Sequence, residues 1–257
     1  KRPAHAFELK PIKPQRDAVI QSEAVFLSTF RIFMMAYHDF MSVLHKSTSR
    51  DYLARVNEPE YPKAKAAALA KGWSYDYWDG DRRINYGGYR YLPGRWEKVA
   101  EALVHHYDLP DNPRILDVGC GKGFLLFDFL KVRPDAQIYG IDISEYAIEN
   151  SKEEIRDRLQ IANATDLPWP DDYFDLVISL NTFHNLYNYE LADALREFER
   201  VGKEHKYLCV ESYRNESEKA NLLYWQVTCE AFCTPKEWEW WFEYAEYSGD
   251  HSFIYFE

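Results

Sequence analysis

Between residues 114 and 211 the chain alternates short apolar runs with stretches of helical spacing, and few architectures accept that pattern. The runs 114–118, 137–141, 159–163, 174–180 and 206–211 each have the length of one strand. Helical spacing fills the intervals 124–133, 145–158 and 190–201. Strands this apolar need cover on both faces, and strand–helix–strand units return to a sheet by right-handed crossovers. The expected fold is α/β, a doubly wound and mostly parallel sheet with helices on both faces. Its ligand cleft should lie beyond the C-terminal ends of the strands, at the switch point.

The first strand runs directly into Asp117-Val118-Gly119-Cys120-Gly121-Lys122-Gly123, and a helix follows. Glycines there permit a tight turn and close approach of a ligand to the backbone. The free N–H groups of the helix start favour an anionic group. The second strand ends in Ile141-Asp142-Ile143, about 20 residues beyond the loop, where an acid can accept both hydroxyls of a ribose. After the third strand comes Asn163-Ala164-Thr165-Asp166-Leu167-Pro168-Trp169. Asp166 can accept a bond from an exocyclic amine, or serve as a turn-forming residue. A dinucleotide fold is the rival, but its G-x-G-x-x-G/A spacing is not met: Phe124 holds the sixth position and Gly123 comes one residue early.

Together these segments, with the strand Phe174-Asp175-Leu176-Val177-Ile178-Ser179-Leu180-Asn181, resemble the core of class I S-adenosylmethionine (SAM)-dependent methyltransferases. The resemblance covers about 100 of the 257 residues and says little about the methyl acceptor. It implies S-adenosyl-L-methionine as cofactor, with Gly119 and Gly121 approaching its methionine moiety in a loop that also supplies Asp117 and Cys120. It implies that Asp142, followed by Ile143, holds the ribose. Ala164, Thr165 and Asp166 would border the adenine, with Asp166 on its amine, and Asn181 would border the sulfonium. The family usually ends in two strands, the last antiparallel, where this chain offers one, 252–256, after helices 216–232 and 235–247.

The remainder divides into an extension, 1–96, ahead of the core, 97–257. Residues 1–16 contain Pro3, Pro11 and Pro14 and read as an extended arm. Helical spacing marks 17–45, with Val19, Ala24, Leu27, Phe30, Met34 and Met41 among its apolar positions, a surface on which a second copy can pack as a homodimer. Shorter helices are expected at 50–56 and 62–71. Residues 72–96 are rich in Gly and Tyr, carry Arg82, Arg83, Arg90 and Arg95, and read as a structured lid. Its Tyr86, Tyr89, Arg90, Tyr91 and Trp96 are the candidate acceptor-binding residues. Arg side chains there suit an anionic metabolite, or they pair with the chain's own acids.

Methyl transfer from a sulfonium needs alignment, and a base only when the nucleophile carries a proton. His184, in Asn181-Thr182-Phe183-His184-Asn185, is the candidate base; its alternative is a structural loop histidine. A net charge of −11 argues against nucleic acid as partner, since duplex binding requires a basic footprint. The four cysteines lack CxxC spacing, so no metal is expected and reduced thiols of a cytoplasmic protein are. The apolar stretch 24–37 is too short to span a bilayer, no signal peptide is visible, and no membrane partner is expected. The expected acceptor is therefore an O or N atom of a small metabolite. Protein methylation and a non-catalytic SAM-binding module are the competing readings.

Overall fold

The structure, a computed structural model, describes residues 35–44 and 49–257. Six strands form one sheet: β1 (Arg114–Val118), β2 (Gln137–Asp142), β3 (Leu159–Ile161), β4 (Phe174–Leu180), β5 (Gly202–Glu211) and β6 (Asp250–Ile254). Their order is β3-β2-β1-β4-β5-β6, and every pairing is parallel. The winding reverses between β1 and β4, so the loops leaving these two strands open the cleft expected at a switch point.

Alternation along the strands builds two cores. Ile115, Leu176, Ile178 and Cys209 face one way, onto α4 (Glu97–His106) and α5 (Phe124–Val132) through Val99, Leu103, Leu126 and Phe129. Leu116, Val118, Val177 and Leu208 face the other way, onto α7 (Asn188–Val201) and α9 (Pro235–Tyr244) through Leu195, Phe198, Trp238 and Phe242. The start of α9 is fixed by Thr234, whose side chain accepts the Glu237 N–H while Glu237 accepts that of Thr234; Pro235 fills the first turn.

Several expectations are corrected. The helix expected over 145–158 breaks into α6 (Glu145–Glu149) and a 3-10 turn, Glu153–Arg158, because the Lys152 N–H bonds to Lys122 O of the glycine loop instead of continuing the helix. The helix expected over 216–232 ends at Trp225 as α8 (Glu216–Trp225); Glu230 and Ala231 instead donate backbone N–H bonds to His184 O. Strand β3 is shorter than expected, and β5 starts at Gly202, where pairing with Phe174 extends the ladder.

Most of the helix expected over 17–45 lies outside the described residues. Within them, residues 36–38 are extended: His38 N donates to His251 O, and His251 N donates to Ala36 O. Asp39 then caps a 3-10 turn, Phe40–Val43. This parallel bridge lies on the free edge of β6, and β6 itself pairs directly with β5. The sheet of the described residues thus has no antiparallel member. Residues 50–71 contain α1 (Tyr52–Val56) and α2 (Lys63–Ala70), and the lid contains one turn of helix, α3 (Tyr75–Trp78). No helix among the described residues is long and apolar enough to cross a membrane.

Candidate active site

The loop from β1 to α5 turns through Gly119, Gly121 and Gly123, all at positive φ. Asp142, at the end of β2, braces it. One carboxylate oxygen accepts the Gly121 N–H at 2.8 Å and the other accepts the Ser144 N–H at 2.8 Å. Burial pushes the Asp142 carboxyl up, opposed by bonds from Ser144, Gly121 and Ile143. Asp117 is buried just behind the loop, and its Oδ1 has no hydrogen-bond partner in the protein. Burial, then repulsion from Asp142, pushes Asp117 up to about 8.

Around this brace the other expected cofactor residues gather at the strand ends. Ile143 is apolar yet 57% exposed beside Asp142, a face suited to a flat ring. Ala164 is buried, Thr165 is half-buried with its N–H on Asn163 Oδ1, and Asp166 is exposed. Asn181 closes β4 at φ +58, a conformation few side chains adopt, and its buried Oδ1 lacks a partner. The Cys120 thiol is buried beside the loop, and burial pushes it well above its ordinary range.

The lid lies over this loop. The Trp78 ring packs on Gly121 so closely that a Cβ there would meet Trp78 Cη2 at 2.8 Å. Trp78 Nε1 donates to Ser144 Oγ at 2.8 Å. Lys122 reaches Asp79 at 2.6 Å and Tyr89 O at 3.0 Å, and the Tyr146 hydroxyl donates to the same Asp79 oxygen. Tyr86 stacks on Trp78, and Tyr89 stacks on Phe124. Of the expected acceptor residues, Tyr89 therefore meets the glycine loop through Lys122, and Tyr86 packs on Trp78, which covers the loop. Tyr91 and Trp96 are instead tied to Asp128 on α5, through the Tyr91 hydroxyl and the Trp96 N–H, and Arg90 is exposed.

His184 is 2% exposed, and both ring nitrogens face Glu211. Its Nδ1 accepts the Glu211 N–H at 3.3 Å, so the ring proton sits on Nε2, 3.5 Å from Glu211 Oε2. Burial pushes His184 down to about 3 and Glu211 up to about 8. Glu211 Oε1 accepts from Gln226, while Oε2 has no hydrogen-bond partner. The Tyr77 and Tyr86 hydroxyls bond to one another, with Glu211 and Asp142 as negative neighbours. Sequence reading missed Glu211 and Trp78 because neither belongs to a local motif. Strand position was the available signal for Glu211, since it ends β5 on the cleft side. Among the described residues, one group has metal-ligand chemistry: His38, His106 and Asp250, at the N-terminal end of β6 and so opposite the cleft.

A family profile described as a methyltransferase domain matches residues 109–246. The chain is 32% identical to a demethylmenaquinone methyltransferase of Symbiobacterium thermophilum, across 52% of this chain and 57% of that protein. It is 31% identical to a tRNA (carboxymethyluridine(34)-5-O)-methyltransferase of Arabidopsis thaliana, across 50% and 30%. It is 28% identical to an erythromycin 3''-O-methyltransferase of Saccharopolyspora erythraea, across 55% and 52%. In each case the match spans under two thirds of the relative's length. With more than half of its residues inside the family profile, and with the glycine loop, the Asp142 brace and the 3-2-1-4-5 parallel order, the chain belongs to the methyltransferase domain family, of the class I SAM-dependent type.

Proposed function

We propose that this protein transfers the methyl group of SAM to an O or N atom of a small metabolite. The observation that carries the cofactor is Asp117: a buried carboxyl with an unpartnered oxygen behind the glycine loop suits the ammonium of a methionine moiety. Asp142 suits the ribose and Ile143 the adenine face. When bound, SAM supplies the electrophilic methyl group; the chain's part is to bind, align and exclude water. Small-molecule acceptors are favoured by the metabolites named for two of the relatives, one of them an O-methylation, and by the stacked rings of Trp78 and Tyr86 beside the loop.

This reading predicts a proton count. Near pH 7 Asp117, pushed up to about 8, holds its proton, and an ammonium beside it favours the ionised form. SAM binding at pH 7 should release about one proton, read as a buffer-dependent binding enthalpy. The release should fade above pH 8 and vanish in Asp117→Asn. A binding enthalpy that is the same in every buffer would count against Asp117 as the ammonium partner.

For proton removal from the acceptor we propose the His184–Glu211 pair. His184 alone is a weak base in this setting, because burial holds it neutral and its Nδ1 is occupied. Glu211 has the uncommitted oxygen, and His184 positions it. Because Glu211 must lose its proton first, kcat/KM should rise with pH and level off above about 8. Glu211→Gln should remove that rise and lower kcat by about 100-fold or more. His184→Ala should lower kcat with little change in SAM affinity, and wild-type turnover in it would exclude the pair.

A further inference from the structure

The chain has 42 acidic and 31 basic residues, so a basic side chain ordinarily finds an acid close by. Arg83 does so: its guanidinium meets Asp81 at 2.6 Å, Glu60 at 2.5 Å and Glu58 at 3.7 Å. Three of its neighbours do not. The guanidinium carbons of Arg50, Arg55 and Arg82 lie 5.5, 6.0 and 5.5 Å from the centre of the Trp225 ring. Arg50 donates to Ser49 O, Arg55 to Arg83 O and Ile84 O, and Arg82 to Asn85 O. These acceptors are neutral carbonyls. Among the described residues no carboxylate lies within 4.0 Å of any of the three.

Gathering like charges is unfavourable, and the structure records it. Burial lowers the pKa of Arg55 and repulsion from Arg82 lowers it further, against a smaller opposing pull from Glu58; burial and then Arg50 do the same to Arg82, opposed by Tyr86. Lys63, in the first turn of α2, is lowered by burial and then by Arg55. The cluster also borders the cleft. Arg82 is a positive neighbour of the Tyr86 hydroxyl, whose negative neighbours are Glu211 and Asp142. Cys229 has both Glu211 and Lys63 as neighbours. The cations thus stand beside the space that Glu211 and the lid tyrosines face.

We infer that Arg50, Arg55 and Arg82, gathered around Trp225, hold a phosphate group carried by the methyl acceptor. Guanidinium forks match phosphate oxygens in pairs, and a dianion offsets more of the cluster's charge than a carboxylate does. Trp225 keeps the guanidinium planes in place by cation–π contact. The inference rests on the methyltransferase reading and names the substrate class of that site: small phosphate monoesters.

The test is calorimetric titration of the full chain with inorganic phosphate at fixed ionic strength, with acetate and chloride as comparison anions. Phosphate should bind at least tenfold more tightly than acetate. Arg82→Gln should weaken phosphate at least tenfold, and Arg50→Gln should act in the same direction. Arg83→Gln, whose partners are acids, should leave phosphate affinity unaltered. The inference is overturned if phosphate binds no better than acetate, or if Arg82→Gln binds it like the wild type. SAM titration of the same samples separates the two ideas. A chain that binds SAM but not phosphate loses only this inference; one that binds phosphate but not SAM loses the link to a methyl acceptor.

Discussion

Replacing Asp142 by Ala should weaken SAM binding by at least about 100-fold, the largest affinity change expected from a single side chain here. Two losses combine. The Gly121 and Ser144 N–H groups lose a charged acceptor at 2.8 Å, which frees the loop to leave its ligand-ready shape. Both ribose hydroxyls then lose the carboxylate proposed to receive them, and a hydrogen bond to a charged group contributes about 1.5–3 kcal/mol. Two such bonds amount to about 3 kcal/mol or more, beyond 100-fold in Kd. Asp142→Asn keeps the shape and one acceptor oxygen, so it should fall in between, with about a tenfold loss. Calorimetry with SAM, and with NAD as the alternative cofactor, decides the matter. SAM affinity within threefold of wild type in Asp142→Ala would remove the ribose role, and NAD binding by the wild type would move the protein toward oxidoreductases.

The parts of the fold that could be read locally were those governed by local rules. β1 and β4 are bounded as the apolar runs suggested, since each is an apolar run with a polar or glycine stop. The glycine loop and Asp142 came together because their spacing along the chain is itself the structural constraint. Helix α4 went unread although Val99, Ala100 and Leu103 form a buried stripe, because no motif marks the chain ahead of the first strand. The break after α6 and the early end of α8 were invisible for another reason: in both places a distant backbone group, at Lys122 or His184, takes the N–H that would continue or adjoin the helix. The acceptor side was least legible. Arg50, Arg55, Arg82 and Trp225 lie up to 175 residues apart, and only the packing of α1 and the lid against α8 makes them neighbours. Within the lid, sequence reading chose residues by type. The structure sorts them by place, with Tyr86 on Trp78, Tyr89 at the glycine loop and the start of α5, and Tyr91 and Trp96 tied to Asp128 on α5.

Gly119→Ala should destabilise the protein by about 2–5 kcal/mol and also weaken SAM binding. Two separable terms add. Gly119 sits at φ +82, where a Cβ costs roughly 1–2 kcal/mol whatever the surroundings. The same Cβ would lie 2.1 Å from Thr182 Oγ1, 2.5 Å from its Cγ2 and 2.7 Å from its Cβ. That overlap forces either the β1 loop or the end of β4 to shift, and overpacking of this kind costs about 1–3 kcal/mol. For a chain of this size the sum corresponds to a fall in Tm of about 5–15 °C. Because the shift separates Gly119 from the turn holding Asn181 and Thr182, SAM affinity should fall with stability. Thr182→Gly in the same chain removes the overlapping atoms but leaves the backbone conformation as it was. The double variant should therefore recover the overlap portion of the Tm loss and keep the φ portion, a coupling readable in a double-mutant cycle. If the two substitutions merely add, the loops after β1 and β4 do not touch as the structure has them. The cleft would then have to be drawn without Thr182, while a coupling of about 1 kcal/mol or more would place both loops in one unit that closes on the cofactor.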